Sequence, residues 1–172
     1  MKALFVLLSL LLALTSLQAS VKVKSVDITW AAFKTPAKVA VKGSFTKTTL
    51  DAKNSLVGTT LSIDTKSVAS GNAGRDVKLV KFYFDLFSQP KIKGEIISKH
   101  SNSVVIAISM NGITKNISFK AEEAKSGMHL KGTIDMLDFG LSKALKSINQ
   151  ACFKLHKGKT WSDVDLDINL NL

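Results

Sequence analysis

The sequence predicts an all-β fold, a single antiparallel barrel or sandwich of about eight strands with one or two short helices closing its ends. Three observations carry that prediction. First, the closing segment alternates without a fault: Val164, Leu166, Ile168, Leu170 and Leu172 fall on one side, and Asp163, Asp165, Asp167, Asn169 and Asn171 on the other. A strand has a side-chain period of two, so this segment has one dry and one wet face. Parallel sheets buried under helices give continuous apolar runs instead. Second, similar rows recur along the chain with turn residues between them. Third, two segments alone break the period, and both carry helical spacing.

The chain opens on a targeting segment. Met1-Lys2 is a positive start, Ala3 to Leu14 is apolar, and Thr15-Ser16-Leu17-Gln18-Ala19 leads to a cut before Ser20. Residues 1–19 therefore read as a cleaved secretory signal peptide, too short to span a bilayer. No cysteine follows the apolar run, so a lipid anchor lacks an attachment point. The expectation is an exported protein whose residues 20–172 form one domain.

Along that domain the first row, Val21 to Trp30, changes parity near Ser25, which predicts a bulge or a strand bend. Val39, Val41 and Phe45 make the next row, and Ala52-Lys53-Asn54-Ser55 a turn. Val57, Leu61 and Ile63 follow. After Gly71-Asn72-Ala73-Gly74, the spacing of Val77, Val80, Phe84 and Phe87 predicts a helix over 75–87. Lys99-His100-Ser101-Asn102 is a turn, and Val104, Ile106, Ile108 and Met110 are inward on the next strand. Asn111-Gly112 is a strong two-residue hairpin signal, because both residues tolerate positive φ. Ile117, Phe119 and Ala121 follow, then a turn at Lys125-Ser126-Gly127, then Met128, Leu130, Ile134 and Met136. Leu141, Ala144, Leu145 and Ile148 predict a short amphipathic helix.

The net charge of +11 raises the question of nucleic acid, but Arg75 is the sole arginine. Arginine is the usual residue for bidentate base and phosphate contacts. The lysines (Lys22, Lys24, Lys38, Lys42, Lys91, Lys93, Lys115 and Lys131 among them) are spread through the strands, as on a wet outer face that resists edge pairing. A nucleic-acid partner is therefore not expected; a weak association with an anionic lipid surface fits this charge better.

Catalytic chemistry is sparse. His100, His129 and His156 have no HxH, HExxH or CxxC company, so no metal is expected. Asp163, Asp165 and Asp167 lack an EF-hand's glycine and closing glutamate, and are expected to pair with lysines on a neighbouring strand. Cys152, the only cysteine, excludes an internal disulfide and reads as a small apolar filler. The expectation is a protein that is not an enzyme and needs no cofactor. The aromatic cluster Phe82, Tyr83, Phe84 and Phe87 suits a filled core and a ligand cavity equally. An eight-stranded barrel is just wide enough for either. About a dozen methylenes moved into such a lumen, at about 0.8 kcal/mol each, suffice for micromolar binding.

Several motifs together resemble the YceI-like family. They are Leu61-Ser62-Ile63-Asp64-Thr65-Lys66-Ser67-Val68, then Arg75-Asp76, Leu79 and Phe82-Tyr83-Phe84-Asp85; Asn111-Gly112-Ile113-Thr114-Lys115; Asp135-Met136-Leu137-Asp138-Phe139-Gly140-Leu141; and the alternating last strand. The resemblance covers about residues 42–172. It implies a lipocalin-like antiparallel barrel in the bacterial periplasm, often a homodimer, which holds an isoprenoid or acyl-chain amphiphile in its lumen. Two positions depart from the pattern. Thr29 to Thr35 stands where the family carries an N-terminal His-Ser motif, and Met136 replaces an arginine.

The reading is thus a periplasmic carrier of a polyisoprenoid, isoprenoid quinone or fatty-acid derivative. Candidate lumen residues, from parity and size, are Trp30, Phe45 and Ile63; Phe82 and Phe84; Ile106, Ile108 and Met110; Phe119, Ile134, Met136, Phe139 and Ile168. Lys34 and Arg75 are candidates for an anionic head group. Two rivals stand beside it: a filled barrel whose basic surface docks an acidic partner or a membrane, and an enzyme using Cys152.

Overall fold

The computed structural model describes residues 22–172, so the expected signal peptide lies outside the described residues. The strands are β1 (Ser25–Lys34), β2 (Val39–Phe45), β3 (Thr48–Asp51), β4 (Thr60–Asp64), β5 (Val68–Ala69), β6 (Lys91–Lys99), β7 (Ser103–Met110), β8 (Ile113–Ala124), β9 (Gly127–Asp135) and β10 (Thr160–Asn171). The helices are α1 (Ala73–Phe82), α2 (Ser142–Ala151) and α3 (Phe153–His156).

All ten strands form one antiparallel sheet in the order β3-β4-β6-β7-β8-β9-β10-β1-β2-β5. Its two ends are the same place. β2 runs into β3 across Thr46-Lys47, β4 runs into β5 across a 3₁₀ turn at Thr65–Ser67, and the ladder between these segments continues through both breaks. Ser44 pairs with Ala69 and Thr48 with Ile63, while Thr46 N donates to Ser67 O and Asp64 N to Lys47 O. The ten ladder segments are therefore eight staves of one ring, in which β8 and β9 pair only from Lys120–Lys131 to Ala124–Gly127.

Side chains fix the irregular points. The 3₁₀ turn is held by the Asp64 carboxylate, which accepts from Lys66 N, by Ser67 Oγ donating to Asp64 O, and by Thr65 Oγ1 donating to Pro90 O. Asn111 (φ 53°) and Gly112 (φ 80°) form the expected hairpin turn between β7 and β8. Asn111 also donates to Phe139 O and accepts from Ser88 N, tying the hairpin to the loops beside it.

Several local expectations are corrected. β1 starts at Ser25, so the parity change there is the strand's beginning, and the register slip lies further on, between Ala32 and Lys34. Val57 stands in the loop before β4 and is 43% exposed. The predicted helix over 75–87 stops at Phe82, where the extended φ of Tyr83 breaks it, and a 3₁₀ turn at Phe84–Leu86 follows. Val77, within α1, faces outward at 64% exposure. The aspartate stripe of β10 meets mixed partners rather than lysines alone: Asp163 pairs with Lys38, Asp165 accepts from Thr133, and Asp167 bonds His129.

One end of the barrel is solid. Val23, Val104, Phe119, Met128 and Leu130 are all within 2% of full burial there. The other end carries α1 packed against α2, with α3 following.

Candidate functional site

Parity sends Val26, Ile28, Trp30 and Ala32 of β1 inward, and Val164, Leu166, Ile168 and Leu170 of β10 opposite them. These side chains enclose, with those of β2, β4, β6, β7 and β9, a cavity of about 540 Å³. Small-molecule pockets span roughly 300–1,000 Å³. Val41, Leu50, Leu61, Ile92, Val164 and Leu166 line it yet stay only half-buried. A filled core would bury them. The lumen is therefore packed at one end and open toward the other.

The aromatic cluster forms part of the wall. Tyr83 and Phe84, Tyr83 and Phe87, and Phe84 and Phe87 pack edge-to-face at 5.1, 5.2 and 5.4 Å, and Phe45 meets Phe84 at 5.9 Å. Such contacts fix ring positions more tightly than aliphatic packing does. Burial pushes the Tyr83 hydroxyl pKa up, so it stays a neutral O–H.

Of the sequence candidates, Trp30, Phe45, Ile63, Phe84, Ile106, Ile108, Met110, Ile134, Met136 and Ile168 border the cavity. Phe82, Phe119 and Phe139 do not. Phe82 ends α1, half-buried, with Lys81 Nζ 5.3 Å from its ring. Phe119 has the correct parity, but the β8–β9 ladder stops at Lys120–Lys131, and its ring folds against Gly132 where the strands part. Phe139 is fully buried on a 3₁₀ turn (Met136–Phe139), closed by left-handed Gly140. Both rings stop gaps in the wall. Tyr83 and Phe87, which the aromatic cluster suited equally to core or cavity, line the cavity; the sequence did not point to Leu79, nor to Phe33 and Trp161, which have outward parity. Phe33 and Trp161 border the cavity where the β1–β10 register slips by two residues, between Ala32–Val164 and Lys34–Thr160. No pattern in the sequence announces that slip.

Charge collects at the helical end. Lys34, Arg75, Lys78 and His156 all border the cavity there. Asn72 caps α1 by accepting from Arg75 N, which sets that residue at the rim. A hydrogen-bond chain orients His156. Asn149 donates to Gly158 O, so its Oδ1 accepts from Thr160 Oγ1, whose oxygen accepts in turn from His156 Nδ1–H at 2.7 Å. This assigns the Nδ1–H tautomer and leaves Nε2 for other partners. Burial lowers the His156 pKa, with Lys34 and Lys78 acting in the same sense, so the ring is neutral near pH 7. Cys152 is buried in the wall nearby. Among the described residues no three His, Cys, Asp or Glu side chains group as a metal site.

The sequence profile of the YceI-like domain matches residues 15–172. The chain belongs to the YceI-like family. Three solved structures share its fold. A polyisoprenoid binding domain from Saccharophagus degradans superposes with a TM-score of 0.66 at 12% identity, covering 86% of this chain and 93% of that one. Burkholderia cenocepacia BcnA gives 0.57 at 15% identity, covering 84% and 94%. A Campylobacter jejuni YCEI protein gives 0.57 at 19% identity, covering 77% and 84%. A search of curated proteins by sequence returned no match.

In this YceI-like chain the motifs that carry the family resemblance turn out to be joints of the barrel. Asp64, Thr65 and Ser67 build the turn that lets the ring close, the Asp76 carboxylate accepts from Ser70 N and Oγ, Asp85 pairs with Lys66, and Asp135 caps the turn of Phe139. The lumen is lined by generic apolar residues. Met136, which replaces the family's arginine, is buried and lines the cavity.

Proposed function

We propose that the protein is an exported, non-catalytic carrier that holds the long apolar tail of an amphiphile, of polyisoprenoid, isoprenoid-quinone or fatty-acid type, in its barrel. The single observation behind this reading is the 540 Å³ lumen, walled by hydrocarbon and ending in a polar rim. Binding there needs shape and dryness rather than reactive groups: about a dozen buried methylenes contribute about 10 kcal/mol before association costs. Lys34, Arg75, Lys78 and His156 would meet the head group. A polyisoprenoid binding domain with this fold supports an isoprenoid tail. The leader-like residues 1–19 support export to the periplasm.

The test is native mass spectrometry of protein purified from its own host, followed by solvent extraction. A bound mass that extracts as one amphiphile supports the reading; a protein that arrives empty and takes up no long-chain probe refutes it. A second variant sharpens the result. Gly94 faces the lumen, and a Cβ there would meet Ile106 at an ordinary 3.5 Å. Gly94→Leu should fill part of the cavity, keep the fold, and weaken binding of a long-chain probe at least about tenfold.

A further inference from the structure

Beside the rim of the lumen lies a surface whose composition differs from the rest of the barrel. Phe153 and Leu155 on α3 are 59% and 62% exposed. Leu155 also lines the cavity, so this exposed apolar surface is continuous with the lumen wall. Around it stand Lys154, Lys157 and Lys159, all exposed, and no acidic residue falls within 153–159. Among the described residues none of these three lysines has an ion-pair partner within 4.0 Å. Next to them Trp161 is half-buried, its Nε1 donating to Thr35 O, with Lys159 Nζ 4.5 Å and Lys38 Nζ 5.2 Å from its ring.

We propose that this face docks the mouth of the barrel on an anionic phospholipid bilayer. Exposed Phe and Leu with an anchored Trp suit the boundary between headgroups and acyl chains. Lysines around them suit an anionic surface, each contributing attraction within a Debye length. A second copy of this chain fits less well, since a two-fold contact would set lysine against lysine. No helix among the described residues is long and apolar enough to cross a membrane, so the contact is peripheral. Docked this way, the rim would open directly onto the lipid from which a tail is drawn. That last step rests on the carrier reading; the docking itself does not.

The experiment is flotation with vesicles of phosphatidylcholine, with and without phosphatidylglycerol, using the full mature chain. Binding is expected only with phosphatidylglycerol and is expected to fall as salt rises. Phe153→Glu and Lys154→Glu should each weaken it roughly tenfold. Neither residue lines the lumen, so uptake of a long-chain fluorescent probe without vesicles should stay at the wild-type level in both. Equal flotation with both vesicle types, or flotation that survives Phe153→Glu, overturns the proposal. So does a Phe153→Glu variant that shifts the wild type from dimer to monomer in solution, which would make this face a subunit contact. A failure of probe uptake with flotation intact would count against the carrier reading alone.

Discussion

Gly127 has no space for a side chain: a Cβ there would lie 1.8 Å from Leu170 O, a backbone atom held in the β9–β10 ladder. Gly127→Ala should therefore cost about 3 kcal/mol or more, read by urea unfolding. Gly132→Ala is the milder case, because its Cβ would meet the Phe119 ring at 2.7 Å and a ring can tilt. About 1–3 kcal/mol is expected. Parity had placed Phe119 among lumen residues; only the parting of β8 from β9 turns it into a plug. His156 supplies a pH dependence. Its pKa is lowered on folding, so below the unfolded value of about 6.5 the unfolded chain binds the extra proton first. Its contribution is therefore lost as pH falls through about 6.5 and below, and His156→Gln should flatten the decline of Tm between pH 7 and pH 5.5. An anionic ligand at the rim should bind more tightly only further down in pH, where the folded protein itself takes up the proton and Nε2 gains a charge.

At the scale of elements, hydrophobic alternation sorted strands from helices well and boundaries less well. The Asn111-Gly112 hairpin was legible because its chemistry is local: two adjacent residues must take positive φ. What local reasoning omitted is that Asn111 also bonds Phe139 O and Ser88 N. Asn111→Ala gives up both bonds and a residue suited to that φ, so a loss of about 1–3 kcal/mol is expected in thermal or urea unfolding. The helix predicted over 75–87 shows the opposite lesson. Val77, Val80, Phe84 and Phe87 share helical spacing, yet the chain leaves the helix at Tyr83 and carries Phe84 and Phe87 into the cavity wall on a 3₁₀ turn. Periodicity records which residues want burial, and several backbones can satisfy the same list.

The whole molecule depends on one ring with an incompletely filled interior. Unfilled apolar space forgoes contacts that a solid core would make, so occupancy of the lumen should matter to stability. A ligand that binds only the folded barrel stabilises it by mass action, about 2.7 kcal/mol at a hundredfold excess over Kd. Stripping the protein of bound lipid with solvent should accordingly lower Tm, and returning a long-chain amphiphile should restore it. Protein whose Tm ignores both treatments would contradict an open lumen. Gly94→Leu offers the complementary reading, since a filled cavity should hold Tm while reducing the response to ligand.

The alternation of Val164 to Leu172 determined by itself that β10 is a stave with one dry face, because a period of two is a property of the strand and needs no neighbour. The same reasoning applied to the other rows determined the fold class, and four loose motifs in order determined the resemblance. The tertiary structure alone decided that the ring closes through the turn at Thr65–Ser67, that Trp161 swings to the rim, and that the dry faces do not meet in the middle. Those are matters of register and of the space left between distant staves. Both arise from pairing across the ring, and no window of sequence contains it.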